Sequence, residues 1–216
     1  MTEHTDPVDH LHLVDRVLAL RTVKGGRVVI IGIAGEPGAG KSTLAASVVT
    51  ALTEHGCPTV LLPMDGFHLA NVALASLGLA ERKGAPETFD AAGFAALLAR
   101  IRAEGPDTVW APTYDRSVEE SIAGAIPVPP GTEVVVTEGN YLLVDEEPWA
   151  QVGELLDEVW AVRIDAARRT ERLIARHVRY GRTPAEAVAW VASVDEPNAA
   201  VIRATLGRAD LDVSTG

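Results

Sequence analysis

The chain has 216 residues, of which 47 % are hydrophobic and 23 % charged, enough apolar side chain for one globular domain with a core and too much for a disordered chain. Its formal net charge of −11 argues against a nucleic-acid partner, whose phosphate backbone selects a basic stripe. No apolar run reaches the roughly 18 to 20 residues of a membrane span, and the polar, acidic opening MTEHTDPVDH is unlike a signal peptide.

LHLVDRVLAL, residues 11–20, has apolar positions three to four apart and predicts an amphipathic helix that VKGGR breaks. VVIIGIA, at 28–34, is a continuous run of mainly β-branched residues, the pattern of a strand buried on both faces of a parallel sheet. Residues 41–55 then suit a helix that stops at Gly56, and TVLLPM at 59–64 reads as a second buried strand, completing a βαβ unit. Cys57, between them, is the single cysteine; it cannot form an internal disulfide and fits a reducing compartment, so a cytoplasmic protein is expected. Further on come a helix near 90–103, a short strand at TVWAP, a turn-rich connector PVPPG at 127–131, and apolar runs EVVVTEG at 133–139 and EVWAVRI at 158–164. Strands that alternate with helices predict an α/β fold, with helices on both sides of a mostly parallel central sheet, in a single domain without internal repeats.

Between the first strand and its helix stands GEPGAGKST, residues 35–43, which satisfies GxxxxGK[ST] in the strand-loop-helix context that the motif requires. Gly35, Gly38 and Gly40 give the loop its backbone freedom, Glu36, Pro37 and Ala39 complete it, and its successive N–H groups would face phosphate oxygens at a helix N-terminus. Lys41 would reach the β- and γ-phosphates, the Ser42 hydroxyl would sit on Mg²⁺, and Thr43 would add a phosphate contact. The loop implies a bound nucleoside triphosphate, but kinases, GTPase switches and motor ATPases share it. A guanine-specific NKxD is absent, and DAAG at 90–93 opens a helix instead of ending a buried strand, which disfavours the switch.

Asp65, in PMDGFHL at 63–69, follows the second strand as the phosphate loop follows the first, so both face the crevice beyond the carboxyl ends of the strands. Phosphoryl transfer to an alcohol uses a carboxylate there to orient the hydroxyl and accept its proton. Asp-Gly is also a common turn pair, and the stretch alone leaves both readings open. Glu138, in TEGNY at 137–141, again ends a buried strand and could hold Mg²⁺ through water or be a solvated loop glutamate. In IDAARRTERLIARHVRYGR, at 164–182, Arg169, Arg172 and Arg176 share one helical face. They would close over phosphates or, alternatively, form a solvated face with pairs such as Arg168 to Glu171.

These motifs, together with RKGAPETFD at 82–90, PTYDR at 112–116, EGNYLL at 138–143 and EPNA at 196–199, resemble in kind and order the P-loop kinases that group uridine kinase, phosphoribulokinase and type I pantothenate kinase. The whole set looks most like bacterial relatives often labelled fructose or nucleoside kinases. The resemblance implies a P-loop NTPase three-layer sandwich with an arginine-bearing helical lid at about residues 166–182. It also implies ATP and Mg²⁺, and transfer of the γ-phosphoryl group to a hydroxyl of a small metabolite such as a sugar, polyol or nucleoside. By this likeness Asp65 is the base, with Lys41 and Arg172 also catalytic. Ser42 and Glu138 lie near the metal, and Arg169, Arg176 and Asn198 join the loop residues around the nucleotide. The acceptor would meet Asp65, His68, Arg82, Lys83, Tyr114, Arg116, Asn140 and Tyr141, although Arg82, Lys83 and Arg116 could each instead pair with nearby Glu87, Asp90 or Asp115. The chain lacks the long additions that surround the acyl-chain pocket of type I pantothenate kinases, which weakens a pantothenate kinase-like reading. A nucleotide-dependent regulatory protein is the other alternative, although Lys41, Ser42, Asp65 and Glu138 are all present. Homodimers are common among such kinases, and no surface in the sequence declares an interface.

Overall fold

Val29, Ile31 and Ile33 belong to one buried apolar cluster, and Ile30 and Ala34 to another. The first strand therefore needs cover on both of its faces. The computed structural model, which describes residues 10–215, supplies that cover with helices; the opening polar segment 1–9 lies outside the described residues. In chain order the elements are α1 (His10–Val23), β1 (Val29–Gly35), α2 (Lys41–Glu54), β2 (Thr59–Pro63), α3 (Asn71–Leu77), α4 (Ala91–Arg102), β3 (Val109–Asp115), β4 (Glu120–Val128), β5 (Val134–Gly139), α5 (Trp149–Glu154), β6 (Glu158–Arg163), α6 (Ala166–Arg179), α7 (Pro184–Trp190), α8 (Glu196–Thr205) and β7 (Leu211–Ser214). The central sheet has the order β2-β5-β1-β6-β7, with every adjacent pair parallel. Leu13 and Val17 of α1 and Leu44 and Val48 of α2 pack on one face with Ile31 and Val136. Phe94 and Leu98 of α4 and Val152 of α5 pack on the other with Ile30 and Val135. The result is a three-layer α/β sandwich.

Local chemistry ends several elements where the sequence suggests. Gly56, with φ 73°, follows α2, and the Asp90 carboxylate accepts the Gly93 N–H at 2.8 Å to cap α4. DAAG is thus a helix start. Two expectations need correction. TVWAP belongs to a longer strand, β3, which pairs antiparallel with β4 in a separate two-stranded sheet and takes no part in the central one. PVPPG is not wholly a connector, because β4 runs through Val128. β4 is mostly exposed, and its small residues around Gly124 break the alternation that marks a half-buried strand. The four-residue β7 also escaped the sequence reading, being too short to show a pattern. No helix among the described residues is long and apolar enough to cross a membrane.

At the end of the sheet opposite the phosphate loop, Asp157 ties three elements together. Its carboxylate accepts the Ile30 N–H at 2.8 Å and Arg102 Nη2 at 2.6 Å, and pairs with Lys24 Nζ at 2.7 Å. Burial pushes this carboxyl up, but the hydrogen bonds from Lys24, Ile30 and Arg102 outweigh it and hold the group below its ordinary value. A depressed folded pKa gives stability that is complete above the unfolded value, about 3.9 for Asp, and is lost as pH falls through the folded one. Asp157→Asn should therefore cost about 3 kcal/mol at pH 7. Urea titrations should show the gap to wild type closing below about pH 3, and an equal gap at both pH values would contradict this role.

Candidate active site

The phosphate loop turns through Gly38 and Gly40, whose φ values of 82° and 99° lie in the left-handed region. A Cβ on Gly38 would stand 2.9 Å from Leu173 Cγ, so α6 packs directly on the loop. Lys41, the first residue of α2, is buried; its Nζ donates to the Glu36 carbonyl at 3.1 Å and to Asn140 Oδ1 at 2.7 Å. Ser42 Oγ donates to Glu138 Oε1 at 2.9 Å. Burial lowers the Lys41 pKa against the opposing pull of Glu138 and Asp65, and Arg176 adds to the fall. Burial raises the Glu138 pKa, with Lys41 opposing and Asp65 reinforcing. A hydroxyl, a carboxylate and an ammonium brought together at a helix N-terminus form a donor set suited to a triphosphate with a hard, oxygen-seeking cation.

Asp65 stands across the cavity, in a 3₁₀ turn over Met64–Phe67 that follows β2. The glycine after it has an ordinary backbone conformation and is there for space. A Cβ on Gly66 would collide with the Pro112 carbonyl of β3, so the hairpin crosses directly over this turn. That crossing brings Arg116 Nη2 to 3.0 Å from Asp65 Oδ2. His68 Nδ1 lies 2.8 Å from the Asp65 carbonyl; because a carbonyl only accepts, Nδ1 carries the proton and Nε2 is left as an acceptor. Burial lowers the His68 pKa, with Asp65 opposing, which favours the neutral ring.

These groups line one cavity of about 1060 Å³. Of the residues that the sequence reading singled out, Pro37, Gly38, Gly40, Lys41, Ser42, Thr43, Asp65, His68, Lys83, Tyr114, Arg116, Glu138, Asn140, Arg172, Arg176 and Asn198 are on its wall. Gly35, Glu36 and Ala39 are buried and build the loop behind it. Three more of the expected site residues lie off this wall. Arg82 projects outward and pairs with Glu87 at 2.6 Å. Tyr141 is fully buried against Phe89 and Trp149, its hydroxyl donating to the Gly84 carbonyl at 2.6 Å, so it supports the wall from behind. Arg169 lies in the first turn of α6, beneath the loop, ion-paired with Glu196.

The cavity also holds groups that the sequence reading missed. Glu119, at the hairpin tip with φ 57°, accepts from the Tyr114 hydroxyl at 2.8 Å, and its carbonyl accepts from Lys83 Nζ at 2.6 Å. No glycine marks that turn, so only the hairpin fold reveals it. On the opposite wall His177 lies 2.7 Å from Asp195, and the Arg182 guanidinium covers the Trp190 ring at 3.8 Å.

Comparison with known proteins agrees with this geometry. Residues 30–216 match the profile of the Phosphoribulokinase / Uridine kinase family. The chain is 37 % identical over 191 residues to the uncharacterized protein YggC of Escherichia coli K12, covering 88 % of this chain and 78 % of the relative. It is 32 % identical over 169 residues to a Schizosaccharomyces pombe protein provisionally named a uridine kinase, covering 76 % and 72 %. A crystal structure from Silicibacter sp. TM1040, provisionally named a fructose transport system kinase, superposes with a TM-score of 0.87 at 35 % identity and covers 95 % of this chain and 99 % of that one. The chain belongs to the phosphoribulokinase/uridine kinase family of P-loop kinases.

Because the hairpin rests on Gly66, Gly66→Ala should push Arg116 away from Asp65 and destabilise the fold by about 1–3 kcal/mol, the cost of overpacking. Thermal unfolding measures the loss, and an unchanged midpoint would show that the hairpin does not depend on this contact.

Proposed function

We propose that this protein is an ATP-dependent kinase that transfers the γ-phosphoryl group to a hydroxyl of a small metabolite, a sugar, polyol or nucleoside. The observation that carries this reading is the convergence of Lys41 and Ser42 of the phosphate loop with Asp65 on the wall of one cavity. The cavity of about 1060 Å³ is at the upper end of the roughly 300–1,000 Å³ usual for ligand pockets, and it joins the phosphate loop to Asp65 in one space. Loop N–H groups and Lys41 would hold the β- and γ-phosphates, with Ser42 and Glu138 holding Mg²⁺. A metal held there would supply positive charge to offset that of the phosphates.

Asp65 would orient the acceptor hydroxyl in line with the γ-phosphorus and accept its proton as the new P–O bond forms. Arg116 fixes Asp65 through Oδ2, which leaves Oδ1 for the acceptor. His68 Nε2 can accept from a second hydroxyl, and Lys83 and Tyr114 border the same space. Arg172 and Arg176, which line the same cavity, would balance charge that develops on the transferring group. The partners in this reading are small molecules, with the cytoplasm as the working compartment.

The test is Mg²⁺-dependent ATP consumption against a panel of uridine, cytidine, pantothenate, fructose, ribose, ribulose 5-phosphate and other polyols. Asp65→Asn should keep Mg·ATP affinity and lower acceptor-dependent turnover by roughly 10² or more. Near-normal turnover in the variant would reduce Asp65 to a positional role, and ATP binding without an acceptor-dependent rate across a widened panel would favour a regulatory protein.

A further inference from the structure

Of the three arginines on the α6 stripe, the fold buries Arg169, leaving 1 % of its surface exposed. A guanidinium in the interior is costly unless its N–H groups find acceptors. Its Nη2 is ion-paired with Glu196, while Nε and Nη1 have no hydrogen-bond partner among the described residues. Glu36 Oε1 lies 3.9 Å from Nε. The same oxygen accepts from Arg203 Nη2 at 2.5 Å, and Arg203 Nη2 is 3.1 Å from Glu196 Oε1. Arg169, Glu36, Arg203 and Glu196 thus close a ring of alternating charge.

The ring joins three parts of the fold: Glu36 in the phosphate loop, Arg169 in the first turn of α6, and Glu196 and Arg203 on α8. Leu173, one turn along α6, presses on Gly38 of the same loop. Ion pairs that only fastened α6 to α8 would have no need of Glu36. Its inclusion couples both helices to the residue whose own carbonyl accepts the Lys41 ammonium at 3.1 Å. We propose that this ring is a latch that fixes the phosphate loop against α6 and α8, making Arg169 a positioning residue for Lys41 and the loop N–H groups instead of a phosphate ligand. The function assigned to the latch rests on the kinase reading; its mechanical part does not.

Mg·ATP affinity, measured by titration calorimetry on wild type, Glu36→Gln, Arg169→Met and the double variant, tests the coupling, alongside amide hydrogen exchange of the unliganded proteins. Each single variant should bind about tenfold more weakly, and the double variant no more weakly than the worse single one. Exchange should quicken together at residues 35–40 and 166–173 in both single variants. Losses that multiply in the double variant, or exchange that quickens only beside the altered residue, would overturn the latch. If Arg169→Met fails to fold, Glu36→Asp replaces it; the shorter carboxylate should bind with intermediate affinity, and wild-type affinity would count against the proposal. A wild-type protein that does not bind Mg·ATP would sink the kinase reading, and the exchange pattern would then decide the latch alone.

Discussion

Lys41 carries its ammonium at the buried start of α2, where desolvation opposes the charge and only nearby acceptors sustain it. Those acceptors come from both neighbouring strand ends: the Glu36 carbonyl follows β1, and Asn140 follows β5. Because β5 pairs with β1, Glu138 also arrives beside Ser42. Because β2 pairs with β5, the turn that carries Asp65 lies on the far side of the same crevice. Strand order, set by which apolar runs pair in the buried sheet, is therefore what brings a cation, a metal-suited hydroxyl and a carboxylate together. β6, on the other side of β1, delivers α6 onto the loop.

The other half of the cavity is built outside the sheet. A two-stranded hairpin lies over the Asp65 turn, and Gly66 allows the approach by leaving room for the Pro112 carbonyl. Arg116, Tyr114 and Glu119 are carried on or beside the hairpin tip, so the wall proposed to meet the acceptor depends on an element with a mostly exposed outer strand. The phosphate loop, by contrast, follows one of two strands that are buried throughout, β1 and β5.

The buried strands, the phosphate loop and the place of Asp65 on the crevice were legible in the sequence because each has a local signal, a β-branched run, a glycine-rich spacing or a carboxylate at a strand end, whereas that stretch alone could not tell a base from a turn aspartate. The hairpin was half-legible, since β4 is exposed and its small residues carry no period. Glu119 and the Arg182–Trp190 stack gave no sign, because their places depend on contacts between elements. The arginine stripe shows the limit of periodicity most clearly. A shared face correctly grouped Arg169 with Arg172 and Arg176, but it could not say that the first turn lies beneath the loop, where Arg169 meets Glu196 instead of the cavity. The same holds for Tyr141, which sits next to Asn140 in sequence yet turns into the core.

The most direct measurement is to incubate the protein with Mg²⁺, ATP labelled in its γ-phosphoryl group and a small-molecule extract, and to follow the label by mass spectrometry. Phosphoryl transfer assisted by Asp65 predicts label on an organic hydroxyl compound, lost when Asp65→Asn is used. Label that stays on ATP, or appears only as inorganic phosphate, would contradict it.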